Sequence, residues 1–300
     1  MIQRVLVLMA TYNGEKYLDE QLNSLFNQRH VKVSVLVRDD GSRDNTQSIL
    51  EKWRASTDLN WYTGEHLNVK YGFLDLMTRA ATMEYDYYAF CDQDDVWDDD
   101  KLFFALQMLK NVTAEKEALY YCGQRLVNEK LNLIAMHELN RKRTLYARFM
   151  LNDAAGCTMV FNRALLKMVN KYKPQYLLMH DAWVTKVCLA VGGKVIVDPQ
   201  AHMSYRQHGN NTLGLRKDFV SKLKRAIAYI NQQKVQAQLQ ELNEGYGQQL
   251  IPEYAAIIAD VLGYKHSIRK RINLLNMHKF YFGDWRIQAI YLLKVLFNKL

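Results

Sequence analysis

Carboxylate side chains gather after an apolar run in the first third of this 300-residue chain, at Asp92-Gln93-Asp94-Asp95 behind YYAFC. Two carboxylates one residue apart at a strand end can face one hard cation. Mg²⁺ or Mn²⁺ binds proteins through such groups and completes its shell with phosphate oxygens. We therefore predict a Mg²⁺ or Mn²⁺ site at Asp92 and Asp94. The alternative, an acidic helix start, better suits Asp98–Asp100, which precede a helical pattern.

Two earlier polar segments follow other apolar runs. Thr11-Tyr12-Asn13 follows RVLVLMA, and Asp39-Asp40 follows VKVSVLVR. An acid at such a strand end is well placed to accept a hydrogen bond from a base N–H or a ribose hydroxyl. Tyr12 could pack on the base. A plain turn for Asp40 and core packing for Tyr12 are the alternatives.

A third acid, Asp181, lies at a predicted helix start in HDAW, after the apolar stretch 174–179. An acid in this position often caps its helix. A carboxylate beside an apolar wall can also be tuned as a general base.

A polar loop, YRQHGNN, follows a later predicted strand and combines a cation with an imidazole. Arg206 could meet phosphate, and His208 could bind a metal or a phosphate. The chain contains no GxGxxG and no P-loop Gly-Lys-Ser/Thr pattern, which argues against dinucleotide dehydrogenases and P-loop kinases.

The elements that must position these residues alternate in type. Apolar runs near 4–10, 31–38, 59–62 and 85–91 predict strands, and helical spacing predicts helices between them. This alternation is typical of a mostly parallel α/β sheet flanked by helices. Because parallel strands bring their carboxyl ends to one rim, where ligands bind, we expect Thr11-Tyr12-Asn13, Asp39-Asp40 and Asp92–Asp95 to lie together there.

The later part of the chain is less regular. We predict a strand pair around Asn128-Glu129, a strand over 154–162, and a strand KVIVDP closed by Pro199. Beyond about residue 215 the pattern changes to long helices with Gln- and Lys-rich faces. We therefore divide the chain into a catalytic domain, 1–214, and a basic helical C-terminal region, 215–300.

Composition narrows the class of protein. Hydrophobic residues make up 49% and charged residues 24%, which excludes a largely disordered chain, and no uncharged apolar stretch is long enough to span a membrane. The N-terminal apolar run is interpreted as a strand and not as a signal peptide. The four cysteines are far apart, which predicts buried free thiols in a reducing cytosol.

Positive charge is concentrated in the C-terminal region. Residues 215–300 carry 14 Lys and Arg against 6 acids, whereas residues 1–214 are nearly balanced at 26 against 25. The region predicts an anionic partner, with a solvated helical face as the alternative. Nucleic acid is disfavoured, because no recognition motif occurs and the first 214 residues are nearly neutral.

Taken together, ATYNG, RDDGSRDNT, DQDDVW, HDAW and YRQHGNN resemble the inverting glycosyltransferases of family 2, which have the GT-A fold. The residues of the last three segments resemble those of the bacterial rhamnosyltransferase branch. That branch builds capsule, exopolysaccharide or cell-wall polymers. The resemblance covers roughly residues 1–214. His180 stands where the wider family often has an acid, which favours the rhamnosyl branch.

The resemblance implies a role for each candidate residue. Nucleotide binding falls to Thr11-Tyr12-Asn13, to Asp92, and to Asp39 or Asp40, of which we favour Asp39. It also implies that Asp94, Asp92 and His208 bind the metal. Asp181 matches the catalytic base, and Arg206 matches the late motif that closes over the diphosphate.

The implied reaction is a single displacement that inverts the anomeric carbon of a nucleoside diphosphate sugar. The expected donor is dTDP-L-rhamnose, and the expected acceptor is a glycan or a lipid-diphosphate-linked sugar. The alternatives are a UDP-hexose donor or a catalytically silent sugar-nucleotide-binding scaffold. The implied location is the cytoplasm, at the inner face of the plasma membrane, where residues 279–300 could lie on an anionic surface. Packing of these residues on the catalytic domain or in a homodimer is the competing expectation.

Overall fold

The first part of the chain alternates strands and helices, as its apolar pattern predicts. The computed structural model describes residues 2–65, 67–208 and 235–300. The elements of this part are β1 (Arg4–Thr11), α1 (Leu18–Phe26), β2 (Lys32–Asp39), α2 (Thr46–Arg54), β3 (Leu59–Thr63), α3 (Val69–Ala80) and β4 (Tyr87–Cys91).

These four strands form the parallel part of one sheet. β1 pairs in parallel with β2 and with β4, and β2 pairs in parallel with β3. The apolar residues of β1 are buried because helices cover both faces, as a continuous apolar run requires. In the register, Thr11 lies opposite Asp39 and Met9 opposite Cys91, so the three polar segments that follow share one rim.

The next part of the chain extends the sheet with mixed pairing. Its elements are β5 (Val96–Trp97), α4 (Lys101–Leu109), β6 (Ala118–Val127), β7 (Leu133–His137), α5 (Leu145–Met150), β8 (Val160–Asn162), α6 (Arg163–Val169), α7 (His180–Ala190) and β9 (Lys194–Arg206). The order is β3-β2-β1-β4-β8-β6-β9-β5, with β7 beside β6. β8 is antiparallel to both neighbours, whereas β6 and β9 are parallel.

Two of the predicted strand bounds were wrong. Residues 154–159 do not extend β8, because Gly156–Thr158 form a 3₁₀ turn that brings the chain past α7. Pro199 does not close β9, which continues to Arg206. The pairing of β6 with β9 shifts register at Cys122/Gly123, close to Pro199. Such an irregularity accommodates a residue that has no backbone N–H to donate.

The C-terminal helices pack against the catalytic part. They are α8 (Val235–Tyr246), α9 (Pro252–Gly263), α10 (Ile268–Leu274) and α11 (Trp285–Leu296). Tyr246 donates a hydrogen bond to the carbonyl of Val169 (2.9 Å), and Ile251 N–H donates to Ala190 (2.9 Å). Apolar residues of α7 and of all four helices belong to one buried cluster. The predicted boundary near residue 215 lies outside the described residues.

Two further sequence expectations concern the cysteines and the membrane. Cys91, Cys122, Cys157 and Cys188 are all buried free thiols, as predicted. Among the helices of the described residues, none combines the length and the apolar character needed to cross a bilayer.

Candidate active site

The loops after β1 and β4 are joined by Gln93, a residue that the sequence analysis passed over. The Tyr12 N–H donates to Oε1 of Gln93 (2.9 Å), and Nε2 of Gln93 donates to the Tyr12 carbonyl (3.2 Å). A Cβ on Gly14 would lie 2.4 Å from Gln93 Oε1, so only glycine allows this approach. Gln93 therefore fixes the loop of Tyr12 against the acidic loop. The sequence feature that could have indicated this role is the position of Gln93 between two acids.

Asp39 organises the turn after β2. It is fully buried, and its carboxylate accepts hydrogen bonds from Thr11 Oγ1 (3.2 Å), the Ser42 N–H (3.0 Å) and Gln47 Nε2 (2.9 Å). Asn13 joins the same turn, since its N–H donates to Ser42 Oγ (2.9 Å). Both oxygens of Asp39 are thus engaged by protein donors.

Asp40 and Tyr12 stand beside this turn in different surroundings. Asp40 forms a nearly buried ion pair with Arg38, whose guanidinium also donates to Asp75 (3.0 Å). Gly64 lies so close to this guanidinium that a Cβ there would meet it at 2.4 Å. Tyr12 is 44% exposed at the rim of the sheet.

Three carboxylates and one imidazole come together beyond the end of β4. Burial and the nearby carboxylates of Asp94 and Asp181 raise the pKa of Asp92 to about 7. Nε2 of His208 lies 2.6 Å from Oδ2 of Asp94. The sequence had placed these side chains in three separate motifs, and the fold brings them to one site. Gly209–Asn211 of the last motif lie outside the described residues.

Asp95 and Cys157 form the floor of this acidic cluster. Asp95 is fully buried and accepts the Arg206 N–H (3.0 Å), and burial raises its pKa well above the ordinary value. Carboxylate oxygens of Asp92 and Asp95 and Sγ of Cys157 all lie within 4.8 Å of one another. Sequence reasoning missed Cys157, because nothing in its own segment marks the proximity of the acids.

Arg206 is buried among acceptors of the protein itself. Its Nε donates to the Asp94 carbonyl (2.8 Å), and its other nitrogens bond the Glu20 carboxylate and the Glu129 carbonyl. The guanidinium also lies 4.5 Å from the centre of the Tyr17 ring, which contacts His208. Arg206 thus ties the end of β9 to α1 and to the acidic loop. The sequence motif predicts a phosphate contact for Arg206 and gives no sign of these protein acceptors.

Asp181 is the second residue of α7 and faces the same cluster. Burial raises its pKa to about 6, although N–H groups of Ala182 and Gly156 bond to it and partly offset that effect. Just before it, the His180 ring stacks on Phe73 with centroids 4.0 Å apart. Neither ring nitrogen of His180 has a hydrogen-bond partner among the described residues, and burial lowers its pKa to about 3. His180 is therefore neutral.

The helix that carries Asp181 also contains a buried lysine. Lys186 belongs to α7, and burial together with the charge of Arg143 lowers its pKa to about 7. Sequence reasoning missed this residue. A lysine inside the apolar helix WVTKVCLA was the available signal. The carboxylate of Asp181 acts in the opposite direction and raises the pKa of Lys186.

These residues together have the properties of a site that binds a divalent cation and provides a general base. Asp92, Asp94 and His208 offer oxygen and nitrogen donors that suit Mn²⁺ or Mg²⁺. Their mutual repulsion, visible in the raised pKa of Asp92, would be relieved by a divalent cation. A carboxylate with a pKa near 6 is ionised at neutral pH and can still accept a proton.

Comparison with known proteins identifies similar chains. A family described as "Glycosyl transferase family 2" matches residues 6–172. The dTDP-rhamnosyl transferase RfbG of Shigella flexneri is 31% identical over 235 residues, which are 72% of this chain and 77% of that protein.

Solved structures share the architecture at lower identity. Residues 1–349 of S. aureus TarS in complex with UDP-GlcNAc superpose with a TM-score of 0.58 at 18% identity, over 99% of this chain and 92% of that TarS fragment. A mannosyltransferase of Pyrobaculum calidifontis in complex with GDP-Man and Mn²⁺ gives a TM-score of 0.56 at 16% identity, over 100% and 89% of the two chains. At these identities the likeness concerns the fold, which is GT-A.

Proposed function

Because the chain belongs to glycosyltransferase family 2, we propose that it moves L-rhamnose from dTDP-L-rhamnose to an acceptor hydroxyl with inversion at the anomeric carbon. The observation that carries this proposal is the meeting of Asp181 with Asp92, Asp94 and His208 at the carboxyl ends of the strands. The acceptor we propose is a glycan or a lipid-diphosphate-linked sugar of a bacterial surface polysaccharide. Residues 1–214 would carry the reaction, in the cytoplasm.

The nucleotide would bind at Tyr12 and at the pair of acids Asp39 and Asp40, beside the acidic cluster. Thymine and uracil both carry an N3–H that a carboxylate can accept. Both acids have protein partners, Asp39 in Thr11, Ser42 and Gln47 and Asp40 in Arg38, so we assign this contact to the pair of acids Asp39 and Asp40. The exposed ring of Tyr12 would stack on the base.

Asp94, Asp92 and His208 would hold the divalent cation. When bound, Mn²⁺ or Mg²⁺ would supply positive charge to the diphosphate as it leaves. Arg206 contributes indirectly, because its bonds to the Asp94 carbonyl and the Glu20 carboxylate fix the loop that carries these donors.

Asp181 would remove the proton from the acceptor hydroxyl. The acceptor oxygen forms a bond to the anomeric carbon from one face while the bond to the diphosphate oxygen breaks on the other. The proton passes to the carboxylate, and the electron pair of the broken bond leaves with the nucleoside diphosphate. A single displacement of this kind needs no covalent sugar–enzyme intermediate.

The choice of donor rests on similarity to the relative named as a dTDP-rhamnosyl transferase. A UDP-hexose donor on the same fold is the second candidate, favoured by the UDP-GlcNAc complex of TarS. A silent scaffold is disfavoured, because the chain keeps Asp92, Asp94, Asp181 and His208 in one cluster.

The test is binding and slow hydrolysis of dTDP-rhamnose, UDP-glucose, UDP-galactose, UDP-GlcNAc and GDP-mannose, each with Mn²⁺, Mg²⁺ or EDTA. We expect metal-dependent binding and hydrolysis of dTDP-rhamnose. Asp94→Asn should lose the metal dependence, whereas Asp99→Asn, which removes an exposed acid paired with Arg29, should not. Absence of binding even to dTDP or UDP with metal would refute the assignment.

A further inference from the structure

The C-terminal helices expose an unusual amount of apolar surface. Nine of the nineteen large apolar side chains that are exposed among the described residues lie between 262 and 297. Trp285 is 75% exposed, Ile268 78% and Phe297 67%. The inner sides of the same helices are buried against the catalytic part, so this exposure is confined to their outer side.

Positive charge accompanies this apolar surface. Between residues 262 and 299 the chain has eight Lys and Arg and one acid, Asp284. Asp284 caps α11 by accepting the Arg286 N–H (2.7 Å), and the guanidinium of Arg286 lies over the ring of Trp285. Aromatic and aliphatic side chains among cations are typical of a segment that lies in an anionic lipid interface.

The fold adds a second basic segment that is distant in sequence. Asn140 Nδ2 donates to the Gly283 carbonyl (2.8 Å), and the Thr144 N–H donates to the Tyr281 carbonyl (3.0 Å). These bonds hold the run Arg141-Lys142-Arg143 against the start of α11. Arg141 and Lys142 are exposed. The other end of α11 lies beside α10, because Arg271 donates to Asn298 Oδ1 (2.8 Å).

We propose that this composite surface, the lipid face, docks the protein on an anionic phospholipid bilayer. The lipid face comprises the exposed apolar side chains of α10, of α11 and of the residues that join and follow them, together with the cations around them. Its members are Ile268, Arg269, Ile272, Met277, Tyr281, Trp285, Arg286, Leu293, Leu296, Phe297, Arg141 and Lys142. Docking inserts the apolar side chains at headgroup depth and sets the cations against lipid phosphates. The proposal is independent of which sugar the enzyme transfers.

The experiment is co-sedimentation of the full chain with neutral phosphatidylcholine vesicles and with vesicles that also contain phosphatidylglycerol. The full chain is needed because α8–α11 complete the core. We expect binding to the anionic vesicles that weakens with salt. Arg141→Gln with Lys142→Gln should weaken it about 25-fold, at about fivefold for each charge. Trp285→Ser with Leu293→Ser should weaken it by about tenfold or more.

Control variants remove the same kinds of exposed side chain, cationic and apolar, at positions outside the lipid face. Lys32→Gln with Lys52→Gln removes two exposed cations from β2 and α2, and Ile2→Ser removes a side chain that is 70% exposed. Both should bind vesicles like the wild type, and all variants should keep nucleotide binding. Lack of wild-type binding, or equal binding by all variants, would overturn the proposal. A dimer that Trp285→Ser dissociates, without vesicle binding, would assign the face to a second copy and likewise overturn it.

Discussion

Replacing Asp181 by Asn should lower activity and raise stability at the same time. The folded chain raises the pKa of this carboxyl to about 6 from the ordinary 3.8, because burial penalises the charged form. Folding therefore works against the ionised group at neutral pH. Asn has the same shape and no charge, so the substitution removes that penalty along with the proton acceptor.

The size of the stability change follows from the two pKa values. At about 1.4 kcal/mol for each pH unit, the difference between about 6 and 3.8 corresponds to about 3 kcal/mol. This penalty is fully present above about pH 6 and is lost as the pH falls toward the ordinary pKa. At pH 5 about half of it remains. The gain from Asp181→Asn should therefore shrink on acidification, and water that reaches the site makes 3 kcal/mol an upper limit.

Urea unfolding at pH 7.5 and pH 5 measures the expected gain in stability. Turnover of donor and acceptor, measured on the same preparations, tests the expected loss of activity. We expect a gain in unfolding free energy that is larger at pH 7.5 and a loss of turnover of about 10²- to 10⁴-fold. Asp99→Asn, which removes an exposed carboxylate, should change stability by less than about 0.5 kcal/mol. A variant that is no more stable than the wild type at pH 7.5 would refute the burial argument. Near-normal turnover would refute the assignment of the base.

Three further predictions concern the same site. The pH–rate profile of kcat should rise about tenfold per pH unit up to about pH 6 and then level, because Asp181 must be ionised to accept a proton; a flat profile would contradict this. Gly156→Ala places a Cβ 2.6 Å from Nε2 of the buried His180 and should lower the free energy of unfolding by about 1–3 kcal/mol, measured by thermal unfolding; unchanged stability would show that the ring can move. Arg206→Lys keeps the charge but loses the planar fork and should cost about 2 kcal/mol of stability as well as Mn²⁺ affinity, whereas a direct phosphate contact would lower donor affinity alone.

Local sequence pattern was sufficient for most of the secondary structure and for the rim of the sheet. Continuous apolar runs followed by polar residues predict buried parallel strands, and β1, β2 and β4 lie where those runs occur. The errors fall at 154–159 and at Pro199. There a 3₁₀ turn packs against α7 and a shift in the pairing of β9 overrides the local signal.

The candidate site was predictable in its residue types and less so in its contacts. The acids, Asp181 and His208 were picked out by position, and the structure gathers them. The partners of Asp39 and Asp40 were not predictable, because the turn after β2 engages Asp39 and the ion pair with Arg38 engages Asp40. The surroundings of Arg206 depended on Glu20, a residue 186 positions away. The residue pattern of one segment cannot predict a contact with a residue so distant in the sequence.

The sequence by itself determined which segments are buried strands, which acids stand at their ends, and that the C-terminal region is basic. These properties follow from side-chain periodicity and composition, which act over a few residues. Only the tertiary structure decided that Gln93 joins two loops, that Lys186 is buried under the influence of the Arg143 charge, and that Arg141 and Lys142 adjoin α11. Those contacts depend on close packing between distant segments, where the shape and hydrogen-bonding groups of both partners select the pair.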